Sequence, residues 1–86
     1  MKKTFRVLII DDETSIRHSL QSFFEDYEFD VATAASAEQA EKLLAEQYFD
    51  AAIVDLRLPG MNGDVFIVKA YPKYPHMAFL IYTGSV

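Results

Sequence analysis

The chain has 86 residues, no cysteine, 51% apolar residues and a formal charge of −5. That length allows one small domain, the apolar share excludes a disordered chain, and the lack of cysteine excludes disulfides, thiolate catalysis and zinc–thiolate sites. The acidic balance, with no basic block beyond Lys2 and Lys3, argues against direct contact with nucleic acid or with an anionic membrane.

Two lysines precede an apolar run, the arrangement that opens a secretory signal. The uninterrupted run is only Val7–Ile10 before Asp11 and Asp12 cut it, too short for a signal core or a transmembrane span. The expectation is a soluble, cytoplasmic chain. Phe5–Ile10 is short and continuously apolar, which predicts a buried strand. Asp11, Asp12 and Glu13 fall in the turn after it, and Thr14 or Ser15 is placed to cap a helix. Ile16, Leu20, Phe23 and Phe24 recur at helical spacing, and the helix is expected to fade near Asp26–Glu28.

Phe29–Ala34 alternates as a partly exposed edge strand does. Ser36 followed by Gln39 is a capping-box pattern, and Ala37, Ala40, Leu43 and Leu44 carry a second helix to about Gln47. Phe49–Val54 is a third strand that stops on Asp55, and the loop after it holds Pro59, Gly60, Asn62 and Gly63. Asp64–Tyr71 is a short third helix closed by Pro72 and Pro75, and Met77–Tyr82 is a fourth strand followed by Thr83. Strands and helices that alternate over short connections predict an α/β fold with parallel pairing and right-handed crossovers.

In such a sheet the C-terminal ends of all strands open at one edge. Asp11, Asp12, Glu13, Asp55 and Thr83 would therefore meet there. Carboxylates gathered within a few ångströms repel, and a hard divalent cation offsets the cost; with oxygen donors only, Mg²⁺ (or Mn²⁺) fits best. A carboxylate beside such a cation can act as a nucleophile in phosphoryl transfer, giving an acyl phosphate, while a hydroxyl such as that of Thr83 can bond a phosphoryl oxygen. The plainer reading is that strand-end acids are solvated turn residues, and Glu13 is read that way, as an acid suited to a helix start.

The segments VLIIDDE (Val7–Glu13), IVDLRLPGMNG (Ile53–Gly63) and LIYTGS (Leu80–Ser85) together resemble the receiver domain of two-component response regulators. Their order and spacing run through nearly the whole chain. The resemblance implies a flavodoxin-like, doubly wound parallel sheet of order 2-1-3-4, counting the four strands above along the chain. It implies that Asp55 is the phosphoacceptor, receiving its phosphoryl group from a sensor histidine kinase in a Mg²⁺-dependent reaction, so that the chain is an acceptor rather than an enzyme. It further implies a metal site of Asp11, Asp12, Asp55 and the Arg57 backbone carbonyl, with Asp12 binding directly and Asp11 through water. Thr83 would be the switch hydroxyl and Gly84 the small residue beside it, with Arg57 and Ser85 flanking the acyl phosphate.

Members of that family continue with a fifth strand, bearing an aromatic residue and a lysine, and with further helices. Residues 1–86 are therefore expected to be the N-terminal part of a single receiver domain. No lysine stands in the equivalent place, since Lys69 and Lys73 lie around the third helix. The fourth strand, Met77–Tyr82, would be an open edge, which predicts self-association or a partner covering it. His18 is read as a solvated helix residue. Phe23, Phe24, Phe29, Phe49, Phe66 and Phe79 are read as core, and Tyr71, Tyr74 and Tyr82 as candidates for a partner surface. Two rival functions remain: a receiver that works only by association, without phosphoryl transfer, and a phosphatase of the haloacid-dehalogenase type. The latter wants acids two apart after its first strand, where this chain has Asp11 and Asp12 adjacent.

Overall fold

A computed structural model describes residues 4–83 of the chain; Gly84 and Ser85 lie outside the described residues. The element order is β1 (Arg6–Ile10), α1 (Thr14–Asp26), β2 (Asp30–Ala34), α2 (Ala37–Glu46), β3 (Ala51–Asp55), β4 (Arg57–Leu58), β5 (Met61–Asn62), α3 (Gly63–Ala70), a single 3₁₀ turn (Tyr71–Lys73) and β6 (Ala78–Tyr82). β2, β1, β3 and β6 form one sheet in that order, with every neighbouring pair parallel. This is the predicted order 2-1-3-4, since β6 is the fourth long strand. The pair β4 and β5 was not foreseen. It is a two-residue antiparallel clip turning on Pro59 and Gly60, where Gly60 has φ 75°, the left-handed value required after proline in a type II turn.

The apolar run of β1 has a direct structural reading. Val7, Leu8, Ile9 and Ile10 are all buried, because the sheet is covered on both faces. Leu8 and Ile10 join Ala52, Val54, Leu44, Phe49 and Phe66 in the main core, under α2 and α3. Val7 and Ile9 alternate onto the opposite side, where α1 packs against β1 and β2. The α1 face is thinner than its sequence suggests. No residue of α1 is buried, and Phe23 is 53% exposed, so it does not belong to the core assigned to the aromatic set. Phe49 and Phe66 are fully buried, while Phe24, Phe29 and Phe79 are half-buried. Phe23 instead meets Phe24 and Tyr27 in a surface cluster with ring centroids 5.2 and 5.1 Å away.

The helix ends follow local hydrogen-bond chemistry. Ser36 caps α2, its Oγ accepting from the Gln39 N–H at 3.2 Å, and Gln39 Oε1 accepts in return from the Ala35 N–H at 2.8 Å. Neither Thr14 nor Ser15 caps α1. Glu13 occupies that place without a side-chain cap, and its own N–H is taken by Asp11 Oδ1 at 2.8 Å. The end of α1 is closed by paired backbone bonds, Phe29 N–H to Phe24 O and Glu28 N–H to Glu25 O, with Glu28 at φ 67°. That is a Schellman closure at a position usually held by glycine.

The strand N-termini are fastened by one side chain. Arg6 donates from Nε to Asp30 Oδ2, from Nη1 to the Tyr48 carbonyl and from Nη2 to Gln47 Oε1, each at 2.8 Å. Its guanidinium carbon lies 4.8 Å from the centroid of the Phe49 ring. The backbone adds Arg6 N–H to Asp50 Oδ2 at 2.8 Å and Asp50 N–H to the Arg6 carbonyl at 2.9 Å. Among the described residues no helix is long and apolar enough to cross a membrane.

Candidate functional site

The register of the sheet fixes what meets at its C-terminal edge. Ile10 pairs with Val54, and Val54 with Ile81; one residue further, Asp55 pairs with Tyr82. Asp11, Asp55 and Tyr82 thus end three adjacent strands in one row, and the alternation of side chains directs all three to the same face. Asp12 follows into the turn and is exposed, whereas Asp11 is 1% and Asp55 8% exposed. Each of the three aspartates offers an oxygen, and these atoms all lie within 4.8 Å of one another. This is the convergence expected of Asp11, Asp12 and Asp55.

Each buried carboxylate is held. Asp11 accepts from the Glu13 N–H through Oδ1 and from the Tyr82 hydroxyl through Oδ2. Asp55 Oδ1 accepts from the Arg57 N–H at 3.1 Å. Burial pushes the Asp55 carboxyl above the ordinary carboxylate value; the Arg57 N–H opposes that rise, and the charges of Asp11 and Asp12 add to it. The Tyr82 hydroxyl is pushed upward too, by burial first and then by its bond to Asp11 and the neighbouring carboxylates. It therefore stays a neutral donor at physiological pH. The donor set is all hard oxygen, and its like charges favour a counter-charge, so the residues present fit a small divalent cation such as Mg²⁺.

The loop after β3 is drawn tight around Asp55. The Leu56 N–H bonds the Tyr82 carbonyl and the Gly63 N–H bonds the Leu56 carbonyl, both at 2.7 Å. Gly63 has no room for a side chain: a Cβ there would overlap the Asp55 carbonyl oxygen and lie 3.0 Å from Val54 Cγ1. The glycine is required by this close approach of backbone to backbone.

Arg57 opens β4 with its side chain exposed, and Thr83, also exposed, directly follows β6, one residue beyond the row. Lys69 and Lys73 are elsewhere, lining a hollow between α2 and α3 with Glu41, Leu44 and Phe66. Two contributors were missed from sequence. Arg17 donates from Nη1 to the Asp11 carbonyl at 2.8 Å, which ties α1 to the acidic turn. Tyr82, named above only as a candidate for a partner surface, turns its hydroxyl into the acid cluster. The signal for Tyr82 was present, because it ends its strand as Asp55 ends its own.

Two outcomes test this geometry. Gly63→Ala should lower unfolding stability by about 2 kcal/mol in urea denaturation, from overpacking against the Asp55 backbone; an unchanged midpoint would refute the close approach. Asp55→Asn should stabilise the protein in the presence of chelator at neutral pH, read as a higher urea midpoint than wild type. A raised folded-state value means that wild-type stability falls as pH rises from 3.8 through that value. The advantage of Asp55→Asn should therefore be least below pH 3.8 and grow above it; an advantage that shrinks with rising pH would contradict the sign.

Comparison with known proteins agrees with this arrangement. The family model described as "Response regulator receiver domain" matches residues 7–86. The alginate biosynthesis transcriptional regulatory protein AlgB of Pseudomonas aeruginosa is 40% identical over 83 residues, which cover 96% of this chain and 18% of AlgB. The chain thus spans less than a fifth of the length of the curated relatives it matches. Among solved structures, a CheY-like receiver domain protein from Methanospirillum hungatei superposes with a TM-score of 0.92 at 31% identity, covering 98% of this chain and 67% of that one. The response regulator TrrA of Thermotoga maritima, solved in complex with Mg²⁺–BeF, gives a TM-score of 0.90 at 26% identity over 95% of this chain and 71% of that one. With its sheet order, its acidic strand ends and a family match over nearly its full length, the chain belongs to the response regulator receiver domain family.

Proposed function

We propose that the chain is a cytoplasmic phosphoacceptor module that takes a phosphoryl group from a sensor histidine kinase onto Asp55, with Mg²⁺ held at the acidic pocket. The observation that carries this reading is the grouping of Asp11, Asp12 and Asp55 within 4.8 Å, with Asp55 buried and held through one oxygen by the Arg57 N–H. In the transfer, the Asp55 oxygen not held by Arg57 attacks phosphorus. A P–O bond forms as the P–N bond to the donor imidazole breaks, and the leaving imidazole nitrogen takes up a proton. Asp12, Asp55 and the Arg57 carbonyl would hold the metal, with Asp11 contributing through water. A metal bound there would supply positive charge against the negative charge of the incoming group. Thr83 would hydrogen-bond a phosphoryl oxygen, and the protein acts as acceptor rather than as a turning-over enzyme.

The test is incubation with Mg²⁺ and acetyl phosphate, or with the beryllofluoride mimic. Wild type should gain the mass of one phosphoryl group, Asp55→Asn should not, and Mg²⁺ alone should raise the melting temperature by linkage. Mg²⁺ binding without modification of wild type would remove the phosphoacceptor role from this chain.

The association reading has one observation in its favour. β6 is an edge of the sheet among the described residues, and its Leu80 and Ile81 are 54% and 45% exposed. It predicts a sedimentation mass that rises with protein concentration; a constant monomer mass would exclude self-association along this edge.

A further inference from the structure

Tyr82 reaches across one strand, β3. Its register partner on β3 is Asp55, yet its hydroxyl bonds Asp11, which ends β1 on the far side of Asp55. Neighbouring strands stand about 4.8 Å apart, so the side chains of Tyr82 and Asp11 together bridge the row at the end of β3. This agrees with an acceptor only 8% exposed at an open sheet edge. Asp11 is 1% exposed and has both oxygens engaged, Oδ1 by a backbone N–H that local chain geometry fixes and Oδ2 by this one side-chain hydroxyl. The first bond joins residues two apart in the chain, whereas the second joins residues 71 apart.

We propose that Tyr82 is a positioning residue whose hydroxyl competes with a divalent cation for Asp11 and thereby sets the cation affinity of the pocket. The proposal rests on the metal-site part of the reading above. A hydroxyl bonded to a carboxylate draws on the same lone pairs that a cation, or a water bound to one, would use. It also relieves part of the mutual repulsion of Asp11, Asp12 and Asp55, which a cation would otherwise relieve alone. The hydroxyl therefore stabilises the protein most where cations are scarce, and a cation must displace it or share its carboxylate.

Tyr82→Phe keeps the ring and removes the donor. Calorimetric titration should show Mg²⁺ binding about three- to tenfold more tightly to Tyr82→Phe than to wild type. The melting temperature should fall in chelator and recover toward wild type in saturating Mg²⁺. In wild type, the Tyr82 ring resonances, identified by their loss in the variant, should move as Mg²⁺ is added. Weaker Mg²⁺ binding in Tyr82→Phe would mean that the hydroxyl orients Asp11 for the cation rather than competing with it, and would overturn the proposal. Equal affinity, with the same melting loss in chelator and in Mg²⁺, would reduce Tyr82 to a structural contact and overturn it as well. A wild-type protein that binds no Mg²⁺ would overturn the metal site itself, an outcome distinct from both.

Discussion

Like charges crowd one edge of this sheet because parallel pairing leaves them no alternative. Once Ile10, Val54 and Ile81 share a register row, the next residues must share the row above it. Two of those residues are acids, and a third acid follows into the turn. The burial that makes β1 and β3 good strands is also what lifts the Asp55 carboxyl from its ordinary range. The apolar core thus determines the electrostatics of the edge: it holds carboxylates where solvent screens them poorly, and the surrounding N–H and O–H donors offset only part of the cost.

Those donors come mostly from the backbone. Glu13 and Arg57 each turn an N–H back onto an acid two residues earlier, so the turn that follows a strand also fixes the side chain that ends it. The loop after Asp55 is then tied to the edge strand through Leu56 and folded onto itself through Gly63. A carboxylate on a loosely held loop would turn to water. Here the chain closes in behind it, which keeps Asp55 at the row and limits the directions its carboxylate can face.

Most of this was legible in the sequence, for reasons that differ from residue to residue. Continuous apolar runs located β1 and β3, and their abrupt ends located Asp11 and Asp55, because such strands are cut by charge and not by gradual change in composition. Ser36 and Gln39 announced a helix start through a local hydrogen bond that needs no tertiary partner. Phe23 misled because helical spacing gives a stripe without saying how wide a surface is available to bury it. Thr14 and Ser15 misled because α1 begins at Thr14 with Glu13 at the cap position, which leaves both hydroxyls inside the first turn. The β4–β5 clip is too short for any periodicity to reveal. Tyr82 was passed over although the predicted strand order sets it beside Asp55, because the order of strands does not say which polar partner a tyrosine hydroxyl takes.

The Arg6 network lies at the opposite end of the sheet from the acids, yet it governs them. A parallel strand displaced by one residue moves its side chains about 3.3 Å and presents the other face. Such a slip of β1 against β3 would take Asp11 out of the row and scatter the cluster. Arg6 holds Asp30, Gln47 and Tyr48 by side chain and Asp50 by backbone, so it ties β1 at once to the start of β2 and to the approach to β3. It works as the zero mark of a ruler: the spacing of the acids at one margin is calibrated by a single guanidinium at the other. Variation at Arg6 would then be felt as a loss of alignment at a site it never touches.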